Sequence, residues 1–486
     1  MVHIALTCFQ GLAILPPQFQ AGGKDGSVGR QRVFSHQGRR AAGMISPWIL
    51  VYASLSVVAV VSAVLLTIST WENRRFAISR LRKPPQVQAY GRARVLAPCK
   101  GVDLGLAANL RPLFEQDYGD YEIVFIVESA DDAAAQTIER LIAENPHIEA
   151  QLIVAGRATE TGQKVHNLRR ATADLPSNIE FLAFVDSDAR PAPDWLRLLI
   201  TRLDRENTGA TTGYRWFVPA RPTLANLMLY SINCSIAGLL GPGGFNLVWG
   251  GSWAIRTEVF EATGLHEAWY GTLSDDLVAS RVLHRARLRV EFEPLCIVAS
   301  PLDHKMSQAW GFLRRQFVIG RFYAPFYWAG TLLGTTIMNV ALFGGLAALA
   351  LLTYRGSALA LLPASTVLAL VGTHWARAWM REDMGRKRFP HLKRELAAAR
   401  RWDLLAGPFF GLLNCLGMLS AAFSTRVTWR GLRYRIFPGG QIRLLNRELE
   451  QEAQPPLSEA QSMPFDHLRY TARRGRRLAA AERPND

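Results

Sequence analysis

Three segments of the chain are almost free of charged residues, and each predicts a helix that crosses a membrane. They cover residues 47–69, 330–352 and 357–371, and the third can be extended through His374. The first two are long enough to cross a hydrocarbon core of about 30 Å. Helices buried inside globular proteins rarely stay apolar on every face over such a length. The pattern therefore predicts an integral membrane protein.

Between residues 92 and 301 the pattern changes to short apolar runs that alternate with amphipathic stretches. The apolar runs, each a predicted β-strand, cover residues 94–97, 121–127, 151–155 and 181–185. Helical candidates follow Val102, Asp131 and Lys164. This βαβαβ order predicts an α/β domain with a doubly wound, mainly parallel sheet. In such a sheet the ligand site lies beyond the carboxyl ends of the strands.

Residues 222–255 contain no charged residue, and glycine and proline crowd the second half of the segment. Those residues make it a poor spanning helix. Two interpretations stay open. One is a membrane-surface helix followed by a loop that lines an acceptor site, and the other is a core helix and loop of the soluble domain.

Residues 404–423 are apolar again but include Gly407, Pro408, Gly411 and Asn414. The segment is therefore a candidate re-entrant hairpin, interfacial helix or fourth membrane helix. Several arginines follow it, and the positive-inside rule keeps them on the cytoplasmic side. This charge pattern favours a hairpin that returns to the cytoplasm.

The chain of 486 residues carries 56 Lys and Arg against 40 Asp and Glu, a net charge of +16. Much of the excess follows the apolar segments, at residues 74–83 and 377–401. This is the positive-inside pattern, and anionic lipid head groups are the expected partner. No nucleic-acid partner is expected, because the basic residues do not share a face with exposed aromatic residues.

The five cysteines are scattered and lack C-x-x-C spacing, which predicts neither a zinc site nor a disulfide framework and fits a reducing compartment.

Residues 1–43 are interpreted as a disordered tail or as a spurious extension, with Met44 favoured as the natural start. The other predicted boundaries are a membrane helix at 44–72, a basic linker at 73–91, the α/β domain at 92–325, two membrane helices at 326–376, a basic cytoplasmic loop at 377–403, the ambiguous membrane segment at 404–424, a basic segment near the site at 425–447 and a disordered tail at 448–486.

Carboxylates stand at the ends of two predicted strands. Glu128, Asp131 and Asp132 follow the second strand, and Asp186 and Asp188 follow the fourth. Carboxylate oxygens suit Mg²⁺ or Mn²⁺, which bind one or two protein carboxylates together with phosphates and water. An Asp-x-Asp triplet also occurs in solvated turns, but this one ends an apolar strand and precedes a predicted helix. Its position favours a metal-dependent nucleotide-sugar site.

A third acidic pair, Asp275 and Asp276, opens another predicted helix. Ser274 or Asp275 can cap that helix. Capping leaves Asp276 able to point into the cleft as a general base, provided that it lies within hydrogen-bond reach of an acceptor hydroxyl.

Taken together, the motifs resemble those of family 2 inverting glycosyltransferases and, more narrowly, of ceramide glucosyltransferases. They are PCKGVD at 98–103, ESADD at 128–132, KVHNL at 164–168, FVDSD at 184–188, SDD at 274–276 and the closing WRG with YR at 429–435. The resemblance implies a GT-A type nucleotide-sugar domain. The implied roles are uridine contact for Glu128 and Asp132, proximity to the nucleotide for Lys100 and Lys164, donor and metal binding for Asp186 and Asp188, and general base for Asp276.

The next motif of the family, Gln or Arg followed after two residues by Arg-Trp, is not matched. Residues 314–323 supply arginines and a glutamine but no Arg-Trp pair. The candidates for diphosphate or acceptor contact are Asp275, Arg315, Gln316 and Arg321. The alternative for this stretch is a basic interfacial helix that leads into the next span.

The resemblance implies an enzyme that moves one sugar from a UDP-sugar, with UDP-glucose expected, to ceramide or another membrane lipid. The expected location is a bacterial inner membrane, with the catalytic domain facing the cytoplasm. A processive synthase of the cellulose or hyaluronan type is the alternative enzyme. Such synthases use the tryptophan of the Arg-Trp pair, which is not found here, and they need more spanning helices. A non-catalytic membrane protein is the alternative outside enzymes, although all three acidic sites are present.

Overall fold

The computed structural model describes residues 47–85, 90–244 and 246–447. The predictions for residues 1–43, for Met44 and for the tail at 448–486 lie outside these residues. The described chain forms two compact units, one of residues 47–69 and 336–373 and the other of residues 70–335 and 374–447.

Small side chains pack the smaller unit. Ala59 and Ala63 of the first helix form a buried cluster with Ala341 and Leu370. The Tyr52 hydroxyl donates a hydrogen bond to the carbonyl of Ala341 at 3.2 Å. Small residues let helix backbones approach closely, as is typical of helix pairs within membranes.

Within the described residues, four helices are long and apolar enough to cross a membrane: Pro47–Arg82, Pro325–Tyr354, Ala358–Arg388 and Ala397–Ala422. The first three contain the predicted spans. The first helix continues well beyond the predicted span, because its basic residues find acidic partners. Arg74 Nε donates to Asp383 at 3.0 Å, and Arg80 Nε donates to Glu293 at 3.2 Å.

The fourth of these helices is continuous from Ala397 to Ala422, with Pro408 inside it. The hairpin favoured by the charge pattern is therefore not formed. Of the glycines that suggested a turn, Gly407 serves close packing instead, whereas Gly411 has open space around it. A Cβ at Gly407 would collide with the ring of His374, and a Cβ at Gly417 would lie 3.1 Å from Leu313.

A seven-stranded sheet forms the centre of the larger unit, in the order β3-β2-β1-β4-β6-β5-β7. The strands are β1 Arg92–Pro98, β2 Tyr121–Val127, β3 Glu149–Val154, β4 Ile179–Val185, β5 Thr208–Pro219, β6 Ser252–Arg256 and β7 Arg289–Leu302. Strands β1 to β4 pair in parallel, β5 pairs in parallel with β7, and β6 is antiparallel to both of its neighbours. The predicted class, a mainly parallel GT-A type α/β domain with additional apolar helices, is confirmed at the level of its sheet and helices.

Helices cover the sheet and connect its strands. They are Leu106–Leu110, Ala135–Glu144, Gln163–Ala171, Trp195–Thr201, Leu224–Ala237, Thr257–Ala262, Leu265–Ala268, Asp275–Arg285 and Met306–Tyr323. Buried apolar side chains fill both faces of the sheet. On one face the ring of Phe184 stacks on Trp253 with centroids 4.0 Å apart.

The charge-free segment at 222–255 forms the helix Leu224–Ala237, a glycine-rich loop and strand β6. Most side chains of the helix are buried within the larger unit. This burial agrees with the interpretation as a core helix. Leu224, Ile236 and Leu239 remain exposed at its ends.

A second, three-stranded antiparallel sheet follows the fourth apolar helix. Its strands are β8 Arg426–Trp429, β9 Leu432–Ile436 and β10 Ile442–Arg447. Val427, Leu432, Tyr434 and Ile436 pack into the core on one face of the large sheet. The small sheet thereby brings distant parts of the sequence to the edge of the larger one.

Candidate active site

The carboxyl ends of β1 and β2 bring together three of the predicted donor residues. Lys100 Nζ lies 2.9 Å from Glu128 Oε2, and both side chains are buried. Asp132 Oδ1 accepts a hydrogen bond at 2.8 Å from the backbone N–H of Gly101. Gly101 has φ 63°, a left-handed conformation in which glycine is unstrained.

An arginine from the small three-stranded sheet also reaches the carboxyl ends of β1 and β2. Arg447 ion-pairs with Glu128 and donates at 3.1 Å to the carbonyl of Ala158. Glu128 therefore has cations on two sides, Lys100 and Arg447. The sequence places Arg447 at the end of the basic segment predicted near the site but does not indicate its pairing with Glu128, because the two residues are more than 300 positions apart along the chain.

The end of β4 carries the Asp-x-Asp pair, and one arginine bridges both members. Arg215 of β5 places Nη1 3.1 Å from Asp188 Oδ2 and Nη2 3.3 Å from Asp186 Oδ2. Ser300 also donates to Asp188 Oδ2, at 3.2 Å. No motif in the sequence indicated Arg215.

Lys164 joins the second and third acidic motifs. Its Nζ lies 2.8 Å from Asp186 Oδ1 and 3.1 Å from Asp275 Oδ1. Burial alone lowers the pKa of Lys164, but the surrounding carboxylates outweigh it and raise that pKa. Burial also raises the pKa of Asp186, yet Lys164 and Arg215 hold it below its usual range. Both groups are therefore charged at neutral pH. We call Lys164, Asp186, Asp188, Arg215 and Asp275 the strand-edge cluster.

Two glycines allow the acidic motifs to meet. Strand β6 runs antiparallel to β4, which places Gly250 and Gly251 beside Asp186. A Cβ at Gly250 would lie 2.8 Å from Asp275 Oδ2, and a Cβ at Gly251 would lie 2.6 Å from Asp186 Oδ2. Any side chain here would fill the space between the carboxylates.

Asp275 and Asp276 differ in their surroundings. Ser274 caps the helix Asp275–Arg285 by accepting from the backbone N–H of Leu277, which confirms the predicted capping. Asp276 is partly exposed, and its Oδ2 accepts from the backbone N–H of Gly250 at 3.1 Å. Asp275 is buried, and this burial raises its pKa to about 7 despite the opposing effect of Lys164.

Arg430 enters from the turn between β8 and β9. It donates to the carbonyl of Lys100 and to the carboxylate of Asp103. Its φ of 45°, followed by Gly431 at 72°, is a left-handed turn that only a few residue types adopt without strain. Asp103 also accepts from the hydroxyl of Ser187, which stands between the two Asp-x-Asp carboxylates.

The three candidate residues on the helix Met306–Tyr323 lie in different surroundings. Arg315 donates to the carbonyl of Thr428, and burial together with the nearby Arg430 and Arg215 lowers its pKa to about 10. Gln316 is exposed. Arg321 donates at 3.1 Å to the carbonyls of Ala421 and Ser424 and so holds the end of another helix. Of the three, Arg315 has the closest electrostatic connection to the cluster.

The strand-edge cluster fits a divalent cation. Among the residues that the structure describes, Asp188 Oδ1 and Asp275 Oδ2 are buried without a hydrogen-bond partner. Buried carboxylate oxygens normally have partners, so these two atoms have unused capacity to bind a cation or a donor group. Hard oxygen ligands of this kind suit Mg²⁺ and Mn²⁺.

The solved structures that this chain resembles include those of two proteins. The mannosyltransferase PcManGT from Pyrobaculum calidifontis, in complex with GDP-Man and Mn²⁺, has a TM-score of 0.45 and 19% identity over 73% of this chain and 99% of that one. A mycobacterial protein has a TM-score of 0.31 and 14% identity over 47% of this chain and 73% of that one.

Curated proteins with related sequences include three ceramide glucosyltransferases. The Komagataella phaffii protein is 37% identical over 70 residues, which are 14% of this chain and 13% of that protein. Ceramide glucosyltransferase 1 of Caenorhabditis elegans is 32% identical over 77 residues, 16% of each chain. Ceramide glucosyltransferase 3 of the same organism is 29% identical over 77 residues, 16% of this chain and 17% of that protein. The matched segments thus span less than a fifth of these relatives.

The family profile described as glycosyl transferase family 21 matches residues 54–442. That match takes in strands β1 to β9 and the first residue of β10, together with most of the apolar helices. The resemblance to ceramide glucosyltransferases inferred from the motifs is confirmed by the curated relatives. The chain belongs to glycosyl transferase family 21.

Proposed function

We propose that this protein transfers one sugar from a UDP-sugar to the hydroxyl group of a membrane lipid, with inversion at the anomeric carbon. UDP-glucose and ceramide are the first substrates to test, because the named relatives are ceramide glucosyltransferases. The observation that carries the proposal is the meeting of Asp186, Asp188 and Asp276 at one sheet edge, around Gly250 and Gly251.

The nucleotide is assigned to the corner formed by the ends of β1 and β2. Glu128 and Asp132 are acceptors suited to uridine hydroxyl and N–H groups, and Lys100 is a cation beside them. Arg447 already contacts Glu128, so a bound uridine would share this carboxylate with Arg447 or replace it.

Asp276 is assigned as the general base. The acceptor hydroxyl oxygen forms a bond to the anomeric carbon while the bond from that carbon to the diphosphate oxygen breaks, and UDP leaves. Asp276 takes the hydroxyl proton. The Gly250 N–H and the helix N-terminus hold the Asp276 carboxylate in place, which keeps it oriented.

The leaving diphosphate needs positive charge, and the site supplies it from several sources. Asp186 and Asp188 would hold a Mg²⁺ or Mn²⁺ ion, which stabilises negative charge on the diphosphate. Lys164 and Arg215 lie within hydrogen-bond distance of the same carboxylates. Arg315 and Arg430 add positive charge to the same side. Preorganised charges of this kind lower the barrier to departure of the leaving group.

The setting of the domain supports the proposal of a lipid acceptor. Four helices of the described chain are long and apolar enough to cross a membrane, and basic residues flank them on the side assigned to the cytoplasm. We place the catalytic domain at the cytoplasmic face of a bacterial inner membrane, where UDP-sugars are available.

The test is a transfer assay on the full chain in detergent with native lipids, Mn²⁺ or Mg²⁺ and labelled UDP-sugars. A glycolipid that carries one sugar is expected. Asp276→Asn should reduce transfer by about 10²- to 10⁴-fold, the usual contribution of a general base, while UDP binding is kept. Asp174→Asn, on an exposed carboxylate, is the matched control and should remain active.

Two outcomes would contradict the proposal. A long polymer as the product would indicate a processive synthase. UDP binding without transfer or donor hydrolysis across a broad panel of acceptors would indicate a non-catalytic protein. An active Asp276→Asn variant would contradict the assignment of the base alone.

A further inference from the structure

Arg215 occupies an unusual position for a basic residue, because it ion-pairs with both carboxylates that are assigned to the metal. Its two terminal nitrogens lie 3.1 Å from Asp188 Oδ2 and 3.3 Å from Asp186 Oδ2. Its side chain is only 14% exposed. A guanidinium that spans two carboxylates in this way is a cation already bound at the Asp-x-Asp motif.

Aromatic rings hold the guanidinium in place. It lies 4.8 Å from the centroid of Trp249 and 5.3 Å from that of Phe217. The backbone N–H of Trp249 in turn donates to the hydroxyl of Thr212 at 3.0 Å. Cation–π contacts of a desolvated arginine favour one position for its charge. Arg215 is thus fixed over the carboxylates rather than free to leave into solvent.

We propose that Arg215 is the resident counter-ion of Asp186 and Asp188, and that it suppresses divalent-metal binding until a diphosphate is present. The inference rests on the proposed function, in which these two carboxylates hold the metal. It assigns to Arg215 a positioning role: the residue controls when the carboxylates become available as ligands.

The charges explain why a metal ion alone competes poorly. An incoming divalent cation must either share Asp186 Oδ2 and Asp188 Oδ2 with the guanidinium of Arg215 or displace it. The divalent cation and the guanidinium also repel each other in a buried site. Of the other two oxygens of Asp186 and Asp188, Asp186 Oδ1 pairs with Lys164 at 2.8 Å, which leaves Asp188 Oδ1, without a hydrogen-bond partner among the described residues, as a single oxygen free of such competition. One oxygen is a weak site for Mg²⁺ or Mn²⁺.

A diphosphate changes this balance. Guanidinium groups bind phosphate oxygens as readily as carboxylates and often in a bidentate manner. When a nucleotide diphosphate is bound, Arg215 gains new acceptors and the carboxylates gain freedom to bind the metal. Metal and nucleotide then promote each other's binding, and such coupling is reciprocal.

The experiment measures Mn²⁺ affinity without nucleotide, by electron paramagnetic resonance of free Mn²⁺, on the full chain in detergent. Arg215→Gln should bind Mn²⁺ at least about tenfold more tightly than the unmodified protein, within the usual range of coupling between sites. Arg215→Lys, which keeps the charge but loses the contact with both carboxylates, should give a smaller gain in Mn²⁺ affinity. Arg221→Gln is the control, because Arg221 is an exposed arginine that pairs with Asp303 at 2.9 Å; it should leave Mn²⁺ affinity unchanged.

Nucleotide-free affinity is the decisive quantity, because UDP itself coordinates Mn²⁺ and would produce some coupling in every variant. Unchanged or weaker Mn²⁺ binding in folded Arg215→Gln and Arg215→Lys would overturn the inference. Absence of Mn²⁺ binding to the unmodified protein even with UDP would instead overturn the metal assignment of the proposed function, and this inference with it. Melting curves establish that each variant is folded, and Arg215→Lys keeps the test open should Arg215→Gln fail to fold.

Discussion

Two buried groups of acidic and basic side chains in the larger unit resemble each other in composition but differ in which atoms lack partners. The first is the strand-edge cluster. The second, which we call the helix cluster, consists of Cys234, Arg381, Glu382, Arg400 and Asp403. Ligand atoms of Cys234, Glu382 and Asp403 lie within 4.8 Å of one another, so by composition alone the helix cluster would pass as a metal site.

The carboxylates of the helix cluster are satisfied by neighbouring groups. Arg381 makes two hydrogen bonds to Asp403, at 2.8 and 2.6 Å, and Tyr230 donates to Glu382 at 2.9 Å. Within the described part of the chain, the unpartnered atom here is Nη2 of Arg400, whose Nε lies 3.3 Å from Glu382 Oε2. In the strand-edge cluster the unpartnered atoms are the carboxylate oxygens Asp188 Oδ1 and Asp275 Oδ2.

This difference separates a binding site from a structural contact. Unpartnered carboxylate oxygens attract a cation, whereas unpartnered guanidinium nitrogens repel one. The side chains of the helix cluster come from three helices, Leu224–Ala237, Leu361–Arg388 and Ala397–Ala422, and their contacts connect these helices. We therefore assign metal binding to the strand-edge cluster alone.

Among changes within the two clusters, the largest effect is expected for Asp188→Asn. The amide cannot replace the charge of a metal-binding carboxylate, so transfer should fall by at least about 10²-fold, as for loss of a preorganised electrostatic contact. Mn²⁺ binding in the presence of UDP should weaken in parallel. Glu382→Gln is the matched change in the helix cluster, and its folded fraction should bind Mn²⁺ normally. Equal losses of Mn²⁺ affinity in both variants would contradict the contrast between the clusters.

The helix cluster should respond in stability instead. Asp403→Asn removes one partner of a fully buried ion pair with Arg381, and an uncompensated buried charge costs about 3–5 kcal/mol. The melting temperature in detergent should therefore drop, whereas UDP binding of the folded protein should not change. Replacing both partners with apolar residues, in Arg381→Met with Asp403→Leu, should recover much of the loss. No recovery would mean that the pair has a role beyond mutual neutralisation.

A smaller, pH-dependent effect is expected for Asp275→Asn. The folded protein holds the Asp275 pKa at about 7, chiefly through burial, against an ordinary value of 3.8. Between these two pH values the folded state binds more protons than the unfolded state, so this residue reduces stability as pH rises. Asp275→Asn removes that loss. Its melting temperature relative to the unmodified protein should increase between about pH 4 and pH 7 and level off above pH 7.

Melting curves at several pH values check this prediction, with Asp174→Asn as an exposed control. The control should run parallel to the unmodified protein at every pH. A melting temperature for Asp275→Asn that falls relative to the unmodified protein as pH rises would show that Asp275 is ionised and stabilising, as a partner of Lys164.

The sequence predicts the strand-edge carboxylates well, because Asp186 and Asp188 directly follow a buried apolar strand and parallel strands end at a common edge. It does not predict Arg215, because that residue lies inside a long strand with no motif around it. Arg430 lies in the quoted WRG motif and Arg447 in the basic segment predicted near the site, but the sequence does not predict their partners, because both reach the site through a small sheet that follows the apolar helices.

The helix Met306–Tyr323 shows a further limit. Its arginines, at positions 314, 315 and 321, are one, six or seven residues apart, and only the packing of the helix decides which of them face the site. Arg315 turns toward Thr428 and Arg430, whereas Arg321 turns toward the end of Ala397–Ala422. Composition indicates that the stretch is basic, but the rotation of the helix selects the functional side chain.

The smallest effect is expected for Cys234→Ala, and it tests the contrast most directly. Cys234 Sγ contacts the carbonyl of Ser231 at 3.3 Å and lies 3.9 Å from Glu382 Oε1. If the helix cluster is held together by its arginines, loss of the thiol costs roughly 1 kcal/mol, as for an ordinary point substitution. If the thiol ligates a structural metal ion, the same change should remove that ion and with it much of the folding energy. Melting curves together with elemental analysis of the purified protein distinguish the two cases, because a bound metal would disappear in Cys234→Ala and remain in Arg221→Gln.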